Sequence, residues 1–163
     1  MKKLNILIST FFGNGYIPKI PGTFTSLSTI IILYVLFEVL QFKNLNYILI
    51  LYSIIFFYSF YAVMDSETEF DNKDPKQIVI DEVLGQAMPL IFIVYLSSKN
   101  LINIPVEIYY GLSFILFRFF DIVKPFPVGY FDKHHKNFFG IIMDDIMAGF
   151  YTMLIIYLVS FKF

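Results

Sequence analysis

The chain has 163 residues, of which 58% are hydrophobic, 20% aromatic and only 15% charged. Soluble domains carry about 25% charged residues, so this balance and a mean hydropathy of +0.70 exclude disorder and make lipid the natural solvent for the excess apolar surface. A net charge of -1 shows no basic footprint for nucleic acid, and the lack of cysteine excludes disulfides, zinc-thiolate sites and thiol nucleophiles.

The length fits a single domain over 1–163. Leu4–Phe12 follows Lys2-Lys3 and is too short to span a bilayer. No small-residue cleavage site follows it, only Gly13-Asn14-Gly15 and the prolines Pro18 and Pro21. The segment therefore reads as a helix lying in the membrane interface rather than a signal peptide. In FGNGYIPKIPGTFTSLS, Gly13, Gly15 and Gly22 permit close backbone approach, and Thr23 and Ser26 suit the start of a helix whose free amides favour an anion. The GK[ST] ending of a P-loop is missing.

Asn44–Met64 contains no Asp, Glu, Lys or Arg and is long enough to cross the hydrocarbon core. Ile20–Phe37, Val83–Ser98 and Ile146–Phe161 are also uncharged, and Ile104–Phe120 holds Glu107 near its start. The expected fold is all-α: a multi-pass membrane bundle of about five helices, near 24–42, 45–64, 80–98, 104–121 and 142–161.

With the N-terminus in the cytoplasm, Lys2, Lys3, Lys19, Lys73, Lys76, Arg118, Lys124, Lys133 and Lys136 fall inside. Only Lys43, Lys99 and Lys162 fall outside, as the positive-inside rule requires. The acidic residues played no part in that assignment, yet all but Glu38 and Glu107 fall on the same inner side.

Three acidic groups sit where loops meet helices: Asp81-Glu82 in QIVIDEVLG, Asp121 in FRFFDIVKP and Asp144-Asp145 in GIIMDDIMAG. Carboxylates at that depth are costly unless paired, hydrated or bound to metal. A converging oxygen-only set favours a hard ion such as Mg²⁺. Acidic residues in a first helical turn also complement the helix dipole, and each pair taken alone would serve as such a cap. Arg118 lies three residues before Asp121 and Lys124 three after it, supplying cations for a phosphate or anchoring the helix end by snorkelling. Asp65, Glu67, Glu69 and Asp71 read as a solvated loop, Asp74 as intermediate, and His134-His135 as a solvated pair beside Lys133 and Lys136.

FGNGYIPKIPGTFTS, DPKQIVIDEVLG, FRFFDIVKPFPVGYFD and GIIMDDIMAG, in this order, resemble the phosphatidylglycerophosphatase A family from about Phe12 to Gly149. The chain departs from the family pattern at Ile80 and Phe126, where Trp is frequent. It also has Lys136-Asn137-Phe138-Phe139 where the family tends to be glycine-rich. The resemblance implies a bacterial cytoplasmic-membrane enzyme that removes the terminal phosphate of phosphatidylglycerophosphate with Mg²⁺, its site facing the cytoplasm. The family's acidic positions fall on Asp81, Glu82, Asp121, Asp132, Asp144 and Asp145, its basic ones on Arg118 and Lys124, and its first motif on Gly13, Gly15, Gly22, Thr23 and Ser26.

The expected mechanism is metal-assisted hydrolysis. Asp81, Glu82, Asp121 and Asp144 hold the metal, and Asp145 is the general base. Lys124 and Arg118 hold the phosphate, with Gly22, Thr23 and Ser26 as further substrate contacts. Attack by water and an aspartyl-phosphate route both remain open. Within enzymes, a histidine-based lipid phosphatase or a CDP-alcohol phosphotransferase would need motifs that are absent. Outside enzymes, the alternative is a membrane protein that binds or carries a divalent cation, which would place ionisable groups near mid-helix.

Overall fold

The computed structural model describes residues 2–67, 69–70, 75–134 and 137–162, and their side chains except at 67, 132–134 and 162. The side chains of Glu67, Asp71, Lys73, Asp74, Asp132, Lys133, His134, His135, Lys136 and Lys162, discussed above, lie outside the described residues. Among the described residues all regular structure is helical. The elements are α1 (Lys2–Ser9), α2 (Pro21–Tyr34), α3 (Leu45–Glu67), α4 (Ile80–Ser98), α5 (Val106–Val123), α6 (Val128–His134) and α7 (Phe138–Lys162).

Each long helix has a local cause. Pro21 occupies the first turn of α2, where its missing N–H costs nothing. A π-turn, Val35–Val39, carries α2 onward. Lys124 ends α5 in the left-handed conformation (φ 48°), and Pro125 cannot continue the helix. Four segments are long and apolar enough to span a membrane: Pro21–Val39, Leu45–Ser66, Ile80–Ser98 and Phe138–Phe161. α5 has 18 residues and carries Glu107, Arg118 and Asp121. The bundle therefore has the expected five long helices, one of them more polar than the rest.

One boundary and one element differ most from expectation. α7 starts at Phe138 rather than near 142, because Asn137 Oδ1 accepts the backbone N–H of Gly140 and opens the helix earlier. Asp144 and Asp145 thus lie beyond the first turn of α7, where no free amides are left to cap. The short α6, with no long apolar run to announce it, was not expected.

α4 and α7 form the centre: 56% and 44% of their spanning residues are buried, against 22% for α2 and for α3. They cross where Gly85 meets Gly149. A Cβ on either would collide with the backbone of the facing helix, so the pair acts as a small-residue crossing of the kind lipid-embedded helices use. Below it Val63, Ile80, Leu84 and Ile142 form one cluster, and above it Leu90, Ile93, Leu96, Tyr109 and Ile156 form another. Ile50, Ile54 and Phe57 of α3 point outward, which suits acyl chains as neighbours and would be a liability in water.

α1 is fastened to α3 by polar contacts. Asn5 Nδ2 donates to Asp65 Oδ2 (2.7 Å), Tyr58 Oη donates to Asn5 Oδ1 (2.7 Å) and Ser66 Oγ donates to Ser9 Oγ (2.9 Å). The bundle's two ends differ in chemistry. Glu38 and Glu107 gather at one, with Lys43 paired to Glu38 at 2.6 Å and Tyr34 donating to Glu107 at 3.4 Å. The remaining described helix-borne carboxylates of α4, α5 and α7 gather at the other.

Candidate active site

At that end the starts of α2, α4 and α7 and the end of α5 surround a cleft of about 210 Å³. Its wall contains Pro21 and Gly22 from α2, Pro75, Lys76, Ile78 and Val79 from the segment before α4, and Asp81 and Glu82 from α4 itself. Asp121 and Lys124 come from the end of α5, and Gly140, Ile141, Asp144 and Asp145 from α7. Residues of separate helices are thus brought together because α4 and α7 start at the same end and α5 finishes there.

Asp81 and Glu82 occupy the first turn of α4. Neighbours on a helix point about 100° apart: Glu82 turns toward α2 and α5, while Asp81 keeps one buried oxygen, Oδ1, without a hydrogen-bond partner among the described residues. One carboxylate oxygen each from Glu82, Asp121 and Asp145 lie within 4.8 Å of one another. Asp144 and Asp145 are almost fully buried, and the backbone N–H of Asp145 donates to Asp144 Oδ1 at 3.0 Å.

Two cations are built into this group. Arg118 is bonded to Glu82 through Nη1 and to Asp121 Oδ2 through Nη2 at 3.0 Å. Lys124 Nζ lies 3.0 Å from Asp144 Oδ2. With Lys76, the described residues of the cleft and its backing hold three cations against the five carboxylates of Asp81, Glu82, Asp121, Asp144 and Asp145. Buried like charges repel strongly at this spacing. Among the described residues, the shortfall of positive charge, the all-oxygen donor set and the orphaned Asp81 oxygen fit a hard divalent cation.

The expected residues divide into two groups. Asp81, Glu82, Asp121, Asp144, Asp145, Lys124 and Gly22 line the cleft. Arg118 stands behind the carboxylates it pairs, Ser26 is fully buried against Glu82, and Thr23 is absent from the lining. Lys76 is a lining cation that sequence reasoning read only as an inner-loop charge. Its place between Pro75 and the Ile78-Val79 approach to α4 was the signal available.

A polytopic helical membrane protein with a buried carboxylate cluster at one end of its bundle, opening on a polar cleft, has the form of an enzyme that works on a group presented at the membrane surface. The family comparison makes this specific: the Phosphatidylglycerophosphatase A model matches residues 7–160, and the chain belongs to that family of phosphatases. It is 32% identical to Phosphatidylglycerophosphatase A of Haemophilus influenzae, over 99% of this chain and 94% of that one. It is 28% identical to the Escherichia coli protein of the same name, over 94% and 82%. A protein of Bacteroides thetaiotaomicron, provisionally named as a phosphatidylinositol-3-phosphatase, is 33% identical over 94% and 91%. No solved structure matches the chain.

Proposed function

We propose that the protein hydrolyses the terminal phosphate of phosphatidylglycerophosphate, giving phosphatidylglycerol and phosphate, with Mg²⁺ and from the cytoplasmic face of a bacterial membrane. The observation that carries this reading is the approach of Glu82, Asp121 and Asp145 to within 4.8 Å of one another in a polar cleft. Mg²⁺, when bound, would offset the charge of the phosphate and acidify a water molecule. Glu82, Asp121 and Asp145 would hold it, with Asp81 and Asp144 beside them.

The chain's own groups supply the rest. Lys124, placed at the cleft by the left-handed end of α5, meets the non-bridging phosphate oxygens as charge develops on them. Lys76 offers a second contact from the segment before α4. Arg118 keeps the Glu82 and Asp121 carboxylates at fixed separation. With Asp145 in the carboxylate trio, the general-base role expected for it passes in this reading to Asp81. A water oxygen attacks phosphorus, its proton goes to the Asp81 carboxylate, and the ester P–O bond breaks. The lipid alkoxide leaves and is protonated to the free hydroxyl. The acyl chains stay in the bilayer against the outward-facing aromatic and aliphatic side chains.

The test is phosphate release from phosphatidylglycerophosphate by purified protein in detergent–lipid micelles, with and without Mg²⁺, beside phosphatidylinositol 3-phosphate. Release from the first lipid only, and only with the metal, is expected. Activity untouched by chelation would overturn the metal chemistry, and preference for the inositol lipid would overturn the substrate assignment.

A further inference from the structure

Within that reading, we infer that Gly22 and Ser26, at the start of α2, position the Glu82 carboxylate for the cation rather than contact the lipid phosphate. Each oxygen of this one carboxylate has its own constraint. Oε2 accepts a hydrogen bond from Ser26 Oγ at 2.7 Å and is also bonded by Arg118 Nη1, whose other near neighbour is Ser26 Oγ at 3.4 Å. Oε1 lies where a Cβ on residue 22 would intrude, so the carboxylate keeps this position only against a glycine. Ser26 is fully buried and does not line the cleft, whereas Gly22 does. A hydroxyl in that position cannot reach a ligand in the cleft.

The consequence is a fixed carboxylate plane. Ser26 and Arg118 hold Oε2, and the gap at Gly22 takes Oε1, so both oxygens of the carboxylate are set from outside α4. The hydroxyl has one proton, and its bond to Glu82 is shorter than its alternative to the Gly22 carbonyl at 3.0 Å. Partners behind a ligating carboxylate orient it, and their loss typically costs 10–100-fold in metal affinity. The first sequence motif therefore acts through Glu82, from a helix that supplies no carboxylate of its own to the cleft.

The experiment measures Mn²⁺ affinity without substrate, by electron paramagnetic resonance on protein in lipid nanodiscs. The proteins are wild type, Ser26→Ala, Gly22→Ala, Glu82→Asp and the Gly22→Ala/Glu82→Asp double variant. Ser26→Ala should bind Mn²⁺ about tenfold more weakly, and excess metal should restore its turnover with KM for the lipid unchanged. Aspartate is one methylene shorter and vacates the space an alanine at 22 needs. Glu82→Asp should therefore cost far less affinity in the Gly22→Ala background than alone, a coupling that general loss of folding would not produce. Losses that simply multiply, or a Ser26→Ala protein with wild-type Mn²⁺ affinity and a raised KM, would overturn the clamp while leaving the phosphatase reading intact. A wild-type protein that binds no Mn²⁺ would overturn both.

Discussion

Lys124 Nζ lies 3.0 Å from Asp144 Oδ2, joining the end of α5 to α7 across the cleft. The ion pair holds the lysine in place before any phosphate arrives, and its flexible stem lets the ammonium reach the incoming oxygens. Lys124→Met should keep the fold and lower kcat/KM on phosphatidylglycerophosphate by about 10²–10³, the range for removing one charge-stabilising donor. Phosphate-release kinetics at saturating Mg²⁺ would check it.

The trio of Glu82, Asp121 and Asp145 makes a sharper demand. Asp145→Asn keeps the volume and removes the negative charge of the one buried member of the three. If a metal contributes several kcal/mol to the reaction, turnover at millimolar Mg²⁺ should fall on the order of 10³-fold. Mn²⁺ affinity should fall with it. Turnover that drops while affinity holds would point to Asp145 as the base.

Much of this was legible in the sequence, and the reasons for success and failure are physical. Uninterrupted apolar runs are the signal of a lipid-spanning helix, so α3 and α4 fell within a few residues of their expected limits. The pairing of Arg118 with Asp121 follows from an i,i+3 spacing. Its second bond, to Glu82, joins helices 36 residues apart, and no local pattern encodes that. Ser26 looked like a capping or anion-binding hydroxyl because its distant partner was equally invisible. Asp144-Asp145 looked like a helix start because apolar sequence follows them, but apolar sequence also precedes them, and Asn137 opens the helix first.

Gly85 and Gly149 make a prediction about stability that is separate from chemistry. Gly149→Val would drive a side chain into the Gly85 backbone and force α4 and α7 apart. Overpacking of a tight contact costs roughly 1–3 kcal/mol. The thermal midpoint in detergent should fall. Activity should fall further than unfolding alone accounts for, because Glu82 and Asp145 ride on the two separated helices.

The α1–α3 contact is expected to behave differently. Asn5→Ala removes both the donor to Asp65 and the acceptor for Tyr58. Loss of partnered buried polar groups costs about 1–3 kcal/mol. α1 supplies no residue to the cleft lining, so the midpoint should drop by a few degrees while phosphatase turnover at low temperature stays near wild type.

The orientation of the cleft rests on the distribution of basic residues, and the absence of cysteine makes it simple to test. Lys76 precedes α4 and lines the cleft, while Lys99 caps the other end of the same helix. Nineteen residues of helix span about 28 Å, close to the roughly 30 Å of a bilayer's hydrocarbon core. Single cysteines at these two exposed positions therefore report opposite sides. In intact spheroplasts a membrane-impermeant maleimide should label Lys99→Cys and spare Lys76→Cys, and in inverted vesicles the order should reverse. Labelling of Lys76→Cys from outside would put the carboxylate cluster on the extracytoplasmic face. The substrate would then have to be a lipid of the outer leaflet, even if every contact in the site were correct.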